Sequence, residues 1–182
     1  MPAEKDRMSA RPDVQTMRLF YALWPDEVTR RALVRWQPLL QGRLVPAHNL
    51  HITLAFLGNQ PASLLPSLCT ILDRLDATSM LLKLDRPGHF RSSRVAWAGM
   101  SVVPQELTRL YETLCLELEA LHIRHDRRPQ FVPHLTLARN STGGADTMVE
   151  PIEWLADQVA LVHSPMNGSP YRLIASKKLT RS

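Results

Sequence analysis

A four-residue phrase, His51-Ile52-Thr53-Leu54, returns 83 positions later as His134-Leu135-Thr136-Leu137, and both copies continue into alanine and then a large side chain, Phe56 or Arg139. In an extended strand successive side chains point to opposite faces. Each histidine therefore shares a face with the threonine two residues on, while Ile52, Leu54, Leu135 and Leu137 share the other. A strand that is polar on one face and apolar on the other lies between a solvated surface and a core. Two matched His/Thr pairs read as the two sides of one cleft, its floor backed by packed hydrophobic side chains.

The surroundings of the two phrases repeat in pattern. Met17 to Trp24 is rich in strand formers, and Pro25-Asp26-Glu27 then supplies helix-start chemistry for a helix over 26–41, with Val28, Ala32, Trp36 and Leu40 as its apolar stripe. The first motif strand follows, from Leu50 to Leu57, closed by Gly58-Asn59. In the second half a strand over 94–99 precedes a helix opened by Pro104 and carrying Leu107, Leu110, Tyr111, Leu114, Leu118 and Leu121 on one face, then the strand His134 to Arg139. Between the halves, Pro61 to Leu75 has the spacing of an amphipathic helix, and Met80 to Leu84 that of a strand, with Pro87-Gly88 as a turn. Asn140 to Asp146, with Gly143-Gly144, reads as a flexible stretch, and strands near 158–163 and 171–179 close the chain around a return over 164–170. Strand, helix, motif strand, twice over, predicts an α+β fold of two lobes related by a pseudo-twofold axis. Two antiparallel-rich sheets then face a central cleft, and helices cover the outer faces because each sheet has an apolar side to bury.

Length and composition narrow the possibilities further. A chain of 182 residues is long enough for one domain with a substantial core, predicted over 17–182, with 1–16 as a loose tail that mixes Lys5, Arg7 and Arg11 with Asp and Pro and lacks the apolar run of a secretory leader. No run approaches the ~18 apolar residues of a membrane helix. A cytoplasmic protein is expected. Cys69 and Cys115 sit inside apolar helical patterns with no neighbouring cysteine or histidine, so they read as buried free thiols. The 22 Lys+Arg against 17 Asp+Glu leave a net charge of +5, compatible with a polyanionic partner; the densest basic run is Arg124, His125, Arg127 and Arg128.

Imidazole titrates near pH ~6.5, which suits it to proton transfer at neutrality. Opening a cyclic phosphodiester needs a water deprotonated on one side of phosphorus and a leaving oxygen protonated on the other. His51 and His134 supply both roles without a cofactor, and Thr53 and Thr136 stand where donors to the non-bridging oxygens are wanted. Neither motif carries a nearby Asp, Glu or Cys to complete a zinc ligand set, so no metal is expected. His48, His89, His122, His125 and His163 read as surface or loop residues, and Arg91 and Arg94 flank a strand that borders the cleft.

The paired motifs, with the stretches Arg18 to Leu23, Asn49 to Gly58, Arg94 to Gly99, Pro133 to Arg139 and Tyr171-Arg172, closely resemble the 2H phosphoesterase superfamily, and within it the bacterial and archaeal RNA 2′,3′-cyclic phosphodiesterases once called 2′-5′ RNA ligases. The resemblance implies the bilobal 2H fold and metal-independent hydrolysis of a 2′,3′-cyclic phosphate to a 2′-phosphomonoester. It makes His51 and His134 the acid/base pair, Thr53 and Thr136 phosphate-oxygen donors, Phe56 a base-stacking aromatic and Arg139 a phosphate-side cation. The basic residue that often follows in the family is replaced here by Asn140, Ser141 and Thr142. RNA or nucleotides with cyclic phosphate ends are the implied partners, and one chain carries both motifs, as a monomer would require. Two other functions fit the same residues: a nucleotide-binding module without turnover, and an RNA ligase running the reversible chemistry toward a 2′-5′ linkage.

Overall fold

The computed structural model describes residues 15–127, 130–143, 150–166 and 169–181. Residues 1–14 of the expected tail, Arg128, Gly144 to Asp146 of the expected flexible stretch, and Asn167-Gly168 within the expected return lie outside the described residues.

The elements run β1 (Thr16–Leu23), α1 (Glu27–Val34), β2 (Arg43–Leu44), β3 (Ile52–Pro61), α2 (Leu65–Arg74), β4 (Met80–Leu84), β5 (Arg86–Phe90), β6 (Val95–Gly99), α3 (Gln105–Ala120), β7 (His134–Arg139), β8 (Ile152–Ala156), β9 (Gln158–His163) and β10 (Arg172–Lys178). One lobe carries the order β10-β9-β1-β3, the other β7-β6-β5 with β2 beside β7, and the pairings are antiparallel. The lobes meet at β3 and β7 through a single residue pair, Ile52 opposite Leu135, which turns the two expected sheets into one sheet hinged at a seam. Among the described residues that is the one pair formed between β3 and β7, and both strands contribute side chains to a single cavity.

The apolar faces of both motif strands are buried: Ile52, Leu54, Leu135 and Leu137 join one core with Leu68, Ile71 and Leu72 of α2, Leu107, Leu110, Leu114 and Leu118 of α3, and the β4–β8 ladder. α2 packs on β9 and β10, α3 on β3, and α1 against β8. Helices thus back the sheet on the side away from the histidines.

Several local expectations are corrected. α1 ends at Val34 rather than Gln41, because Pro38 cannot continue a helix whose residue-34 carbonyl it would meet; Asp26 caps its start by accepting from the Thr29 amide at 2.7 Å. Its buried face is Thr29 and Leu33 with Trp36 beyond, and Val28, placed on the apolar stripe by the sequence, is 72% exposed. Leu121 likewise lies just beyond α3 and is exposed. Gly58-Asn59 does not close the first motif strand, since β3 runs on to Pro61; Gly58, at φ 68°, sits where the pairing with β1 slips by a residue.

Pro87-Gly88 is not a turn but the middle of β5. Proline is tolerated there because β5 is the outermost strand of its lobe, where a missing amide leaves no ladder bond unmade. Gly88 lies directly opposite Trp97, whose ring covers it so closely that a Cβ would stand 2.1 Å from the ring. Replacing Gly88 by alanine is expected to cost about 1–3 kcal/mol, as overpacking does, read as a lower urea midpoint. An unchanged midpoint would show that the ring does not rest on this glycine.

Candidate active site

The motif strands place six expected residues around one cavity of about 520 Å³: His51, Thr53 and Phe56 from β3 and the segment before it, and His134, Thr136 and Arg139 from β7. Simple alternation would not do this. Phe56 lies three residues after Thr53, and Arg139 three after Thr136, so a regular strand would aim each to the opposite face. In β3 the register slips at Leu54: Thr53 pairs with Ala22 and Phe56 with Phe20, two residues of one face of β1. In β7 it slips at Leu137: Thr136 pairs with Trp97 and Arg139 with Val95, again one face of β6. The leucine after each threonine is the extra residue of a bulge, and the bulge returns the third side chain to the cleft.

Both histidine rings are held in the same way. The Nδ1 of His51 is 2.6 Å from the carbonyl of Asn49, and that of His134 is 2.7 Å from the carbonyl of Val132. A carbonyl only accepts, so each Nδ1 carries a proton and donates it. Each Nε2 of a neutral ring is then the basic atom. The His51 Nε2 lies 3.1 Å from the Thr53 hydroxyl, which donates to it.

Aromatic rings fix the imidazoles from the sides. Phe20 and Trp24 stack on His51, with centroids 4.8 and 5.6 Å away, and Tyr171 meets it edge-on at 5.7 Å. Asn49 ties that side together, its side-chain oxygen accepting from the Tyr171 amide. On the other lobe Phe90 stands edge-on to His134 at 4.9 Å, with Trp97 tilted at 6.1 Å.

The packing around His51 has an electrostatic consequence. Loss of water around the ring pushes its pKa down to about 4; the Asn49 carbonyl opposes the shift, and the charges of Arg139 and His134 add to it. His51 is therefore neutral in the empty cleft at pH 7. His51, His134 and Arg139, from the two lobes, line the same cavity.

Sequence reasoning passed over the aromatic cage. Phe20 on β1 and Trp24 just past its end lie four apart, a spacing that could have been read once β1 was taken as the neighbour of the motif strand. Arg18 was also missed: it lines the cavity with its guanidinium 5.0 Å above the Phe56 ring. Arg91 and Arg94 do not line the cavity, whereas Ser92 and Ser93, at the tip of the turn between them, do. His48 is exposed, His89 is bound to the Ser141 carbonyl, and His122, His125 and His163 are outside the cavity lining. Cys69 is half-buried rather than buried, while Cys115 is buried, which pushes its thiol pKa up and away from the reactive thiolate. Among the described residues no group of three or more His, Cys, Asp or Glu is gathered for a metal ion, and no helix is long and apolar enough to cross a membrane.

An α+β fold with one histidine-threonine pair on each side of a cleft defines a phosphoesterase of the two-histidine class. The chain belongs to the 2′-5′ RNA ligase superfamily, whose family model matches residues 24–165. It is 34% identical over 132 residues to the RNA 2′,3′-cyclic phosphodiesterase of Escherichia coli (strain K12), covering 70% of this chain and 74% of that one. The enzyme of the same name from Thermus thermophilus is 34% identical over 166 residues, covering 82% and 83%. The fold superimposes on the crystal structure of apo E. coli LigT with a TM-score of 0.80 at 29% identity, over 92% of this chain and 99% of that one. LigT has also been crystallised with 3′-AMP, ATP and NADP+.

Replacing Arg139 by glutamine removes a positive charge that disfavours the charged ring, so the His51 pKa is expected to rise above about 4. A proton NMR titration of the His51 ring checks this; an unmoved or lowered pKa would mean that Arg139 and His51 do not share the cavity's field.

Proposed function

We propose that this chain is an RNA 2′,3′-cyclic phosphodiesterase that hydrolyses cyclic phosphate ends to 2′-phosphomonoesters. The observation that carries the reading is the pair of rings, one from each motif, whose Nδ1 atoms both donate to backbone carbonyls and which line one shared cavity. The naming of its relatives and the nucleotides bound to LigT support the substrate class.

In the proposed reaction the five-membered cyclic phosphate sits between His51 and His134. One neutral Nε2 takes a proton from water as the water oxygen bonds to phosphorus. The bond from phosphorus to O3′ breaks, and the other imidazole, protonated, gives its proton to O3′. The phosphate stays on O2′. In this reading the Thr53 and Thr136 hydroxyls and the Arg139 guanidinium, all lining the cavity, hold the non-bridging oxygens as charge builds on them, and Phe56 stacks on the terminal base. Substrate entry turns the Thr53 hydroxyl from His51 toward phosphate, freeing the Nε2 it caps. Retention of two positioned bases favours turnover over binding alone.

A single chain from residue 17 to 182 is proposed to carry the whole site and to act as a monomer. The free state of Cys69 and Cys115 fits a reducing compartment, the cytoplasm.

With adenosine 2′,3′-cyclic phosphate in EDTA, His51→Ala and His134→Ala are each expected to lose roughly 10²- to 10⁴-fold in kcat, the range for general acid or base catalysis. Phosphorus NMR identifies the product as the 2′-monoester. Because catalysis needs one ring neutral and one charged, kcat/KM should fall below about pH 4, as His51 becomes protonated in the free enzyme, and fall again on the alkaline side. Near-wild-type turnover by either alanine variant, or activity lost to EDTA, would overturn the mechanism.

A further inference from the structure

The cavity is lined in part by aromatic residues that the reaction does not use. Beyond Phe56 its wall includes Tyr111 of α3 and Phe131, on the segment that leads into β7. Neither touches the histidines among the ring contacts of the site, and the proposed mechanism uses neither. Their rings are parallel within 4°, with centroids 4.0 Å apart. Packed aromatic pairs usually stand offset or edge-to-face at about 4.5–7 Å; this pair overlaps nearly face to face, as stacked bases do.

The location follows from the register. Ile52 lies opposite Leu135 in antiparallel strands, so following β3 outward to Phe56 runs alongside the chain leading backward from Leu135 to Phe131. Phe56 and the Tyr111–Phe131 pair therefore belong to the same end of the one cavity they all line. The Phe56 wall already carries the Arg18 guanidinium. The Asp126 amide donates to the Phe56 carbonyl at 2.8 Å, which holds the 123–127 loop against the end of this wall.

A nucleotide whose 2′ and 3′ oxygens are both tied to the reacting phosphate has one direction in which a chain can continue, through its O5′. Single-stranded RNA is commonly bound with unstacked bases set on separate aromatic surfaces, worth roughly 1–3 kcal/mol per base. We propose that the Tyr111–Phe131 stack is the platform for the penultimate base, so that the site is built for an RNA 3′ end of two or more nucleotides in preference to a mononucleotide. This rests on the cyclic phosphodiesterase reading and names its substrate class. It also supplies a grip on the chain that does not depend on the basic residue replaced here by Asn140, Ser141 and Thr142.

Three substrates test it: adenosine 2′,3′-cyclic phosphate, a dinucleotide with the same cyclic end, and that dinucleotide with an abasic penultimate position. The dinucleotide is expected to exceed the mononucleotide in kcat/KM by roughly tenfold or more, and the abasic form to lose that advantage. In Phe131→Leu and Tyr111→Leu the ratio of dinucleotide to mononucleotide should fall toward one, while Phe131→Tyr should keep it. Equal use of mononucleotide and dinucleotide by the wild type overturns the inference, as does an advantage that survives in the abasic substrate or in both leucine variants. So does a leucine variant that weakens both substrates in proportion, which would put one base between Phe56 and Phe131. No hydrolysis of any of the three would instead remove the cyclic phosphodiesterase reading itself.

Discussion

Two backbone carbonyls, of Asn49 and Val132, decide what this cleft can do. Each accepts the Nδ1 proton of the histidine two residues later, at 2.6 and 2.7 Å. A histidine free to choose its tautomer would present a basic nitrogen only part of the time. Here the proton is committed to the backbone, so in each neutral ring Nδ1 is the protonated nitrogen and Nε2 the unprotonated one. The cost of such preorganisation is met by the fold: the carbonyls belong to the short approach segments to β3 and β7, and those strands are anchored by Ile52, Leu54, Leu135 and Leu137 in the core.

The same economy shapes the rest of the site. The HxTL phrase needs its leucine for two purposes, since Leu54 and Leu137 fill the core and also form the bulges that bring Phe56 and Arg139 back to the cleft face. The asymmetry between lobes then lies in the residue that each bulge delivers, an aromatic ring from one and a guanidinium from the other. A cyclic phosphate nucleotide has the same asymmetry, apolar base at one end and anionic phosphate at the other. Phe20 and Trp24 each stack on His51, and burial of the ring lowers its pKa, so the imidazole is neutral beside the charge of Arg139.

Much of this was legible in the sequence because it rests on period-two alternation and duplication. His51, Thr53, His134 and Thr136 could be placed on cleft faces from spacing alone, and β7 has the bounds the motif predicts. Phe56 and Arg139 could not, since their positions depend on bulges that alternation does not encode; a family resemblance supplied them. Pro87-Gly88 looked like a turn because the sequence does not say which strand is an edge, nor that Trp97 will lie across Gly88. The length of α1 was misjudged where the apolar periodicity of Val28 to Leu40 outweighed Pro38. The cage of Phe20, Trp24, Tyr171, Phe90 and Trp97 and the Tyr111–Phe131 stack are long-range contacts, set by which strands become neighbours.

The tautomers of the two rings test the account at its root. In a long-range proton–nitrogen NMR spectrum of the free protein at a pH where both imidazoles are neutral, His51 and His134 should each show a protonated Nδ1 and an unprotonated Nε2. A spectrum in which either ring carries its proton on Nε2 would contradict the account, because that ring would turn a donor, not a base, toward the cleft.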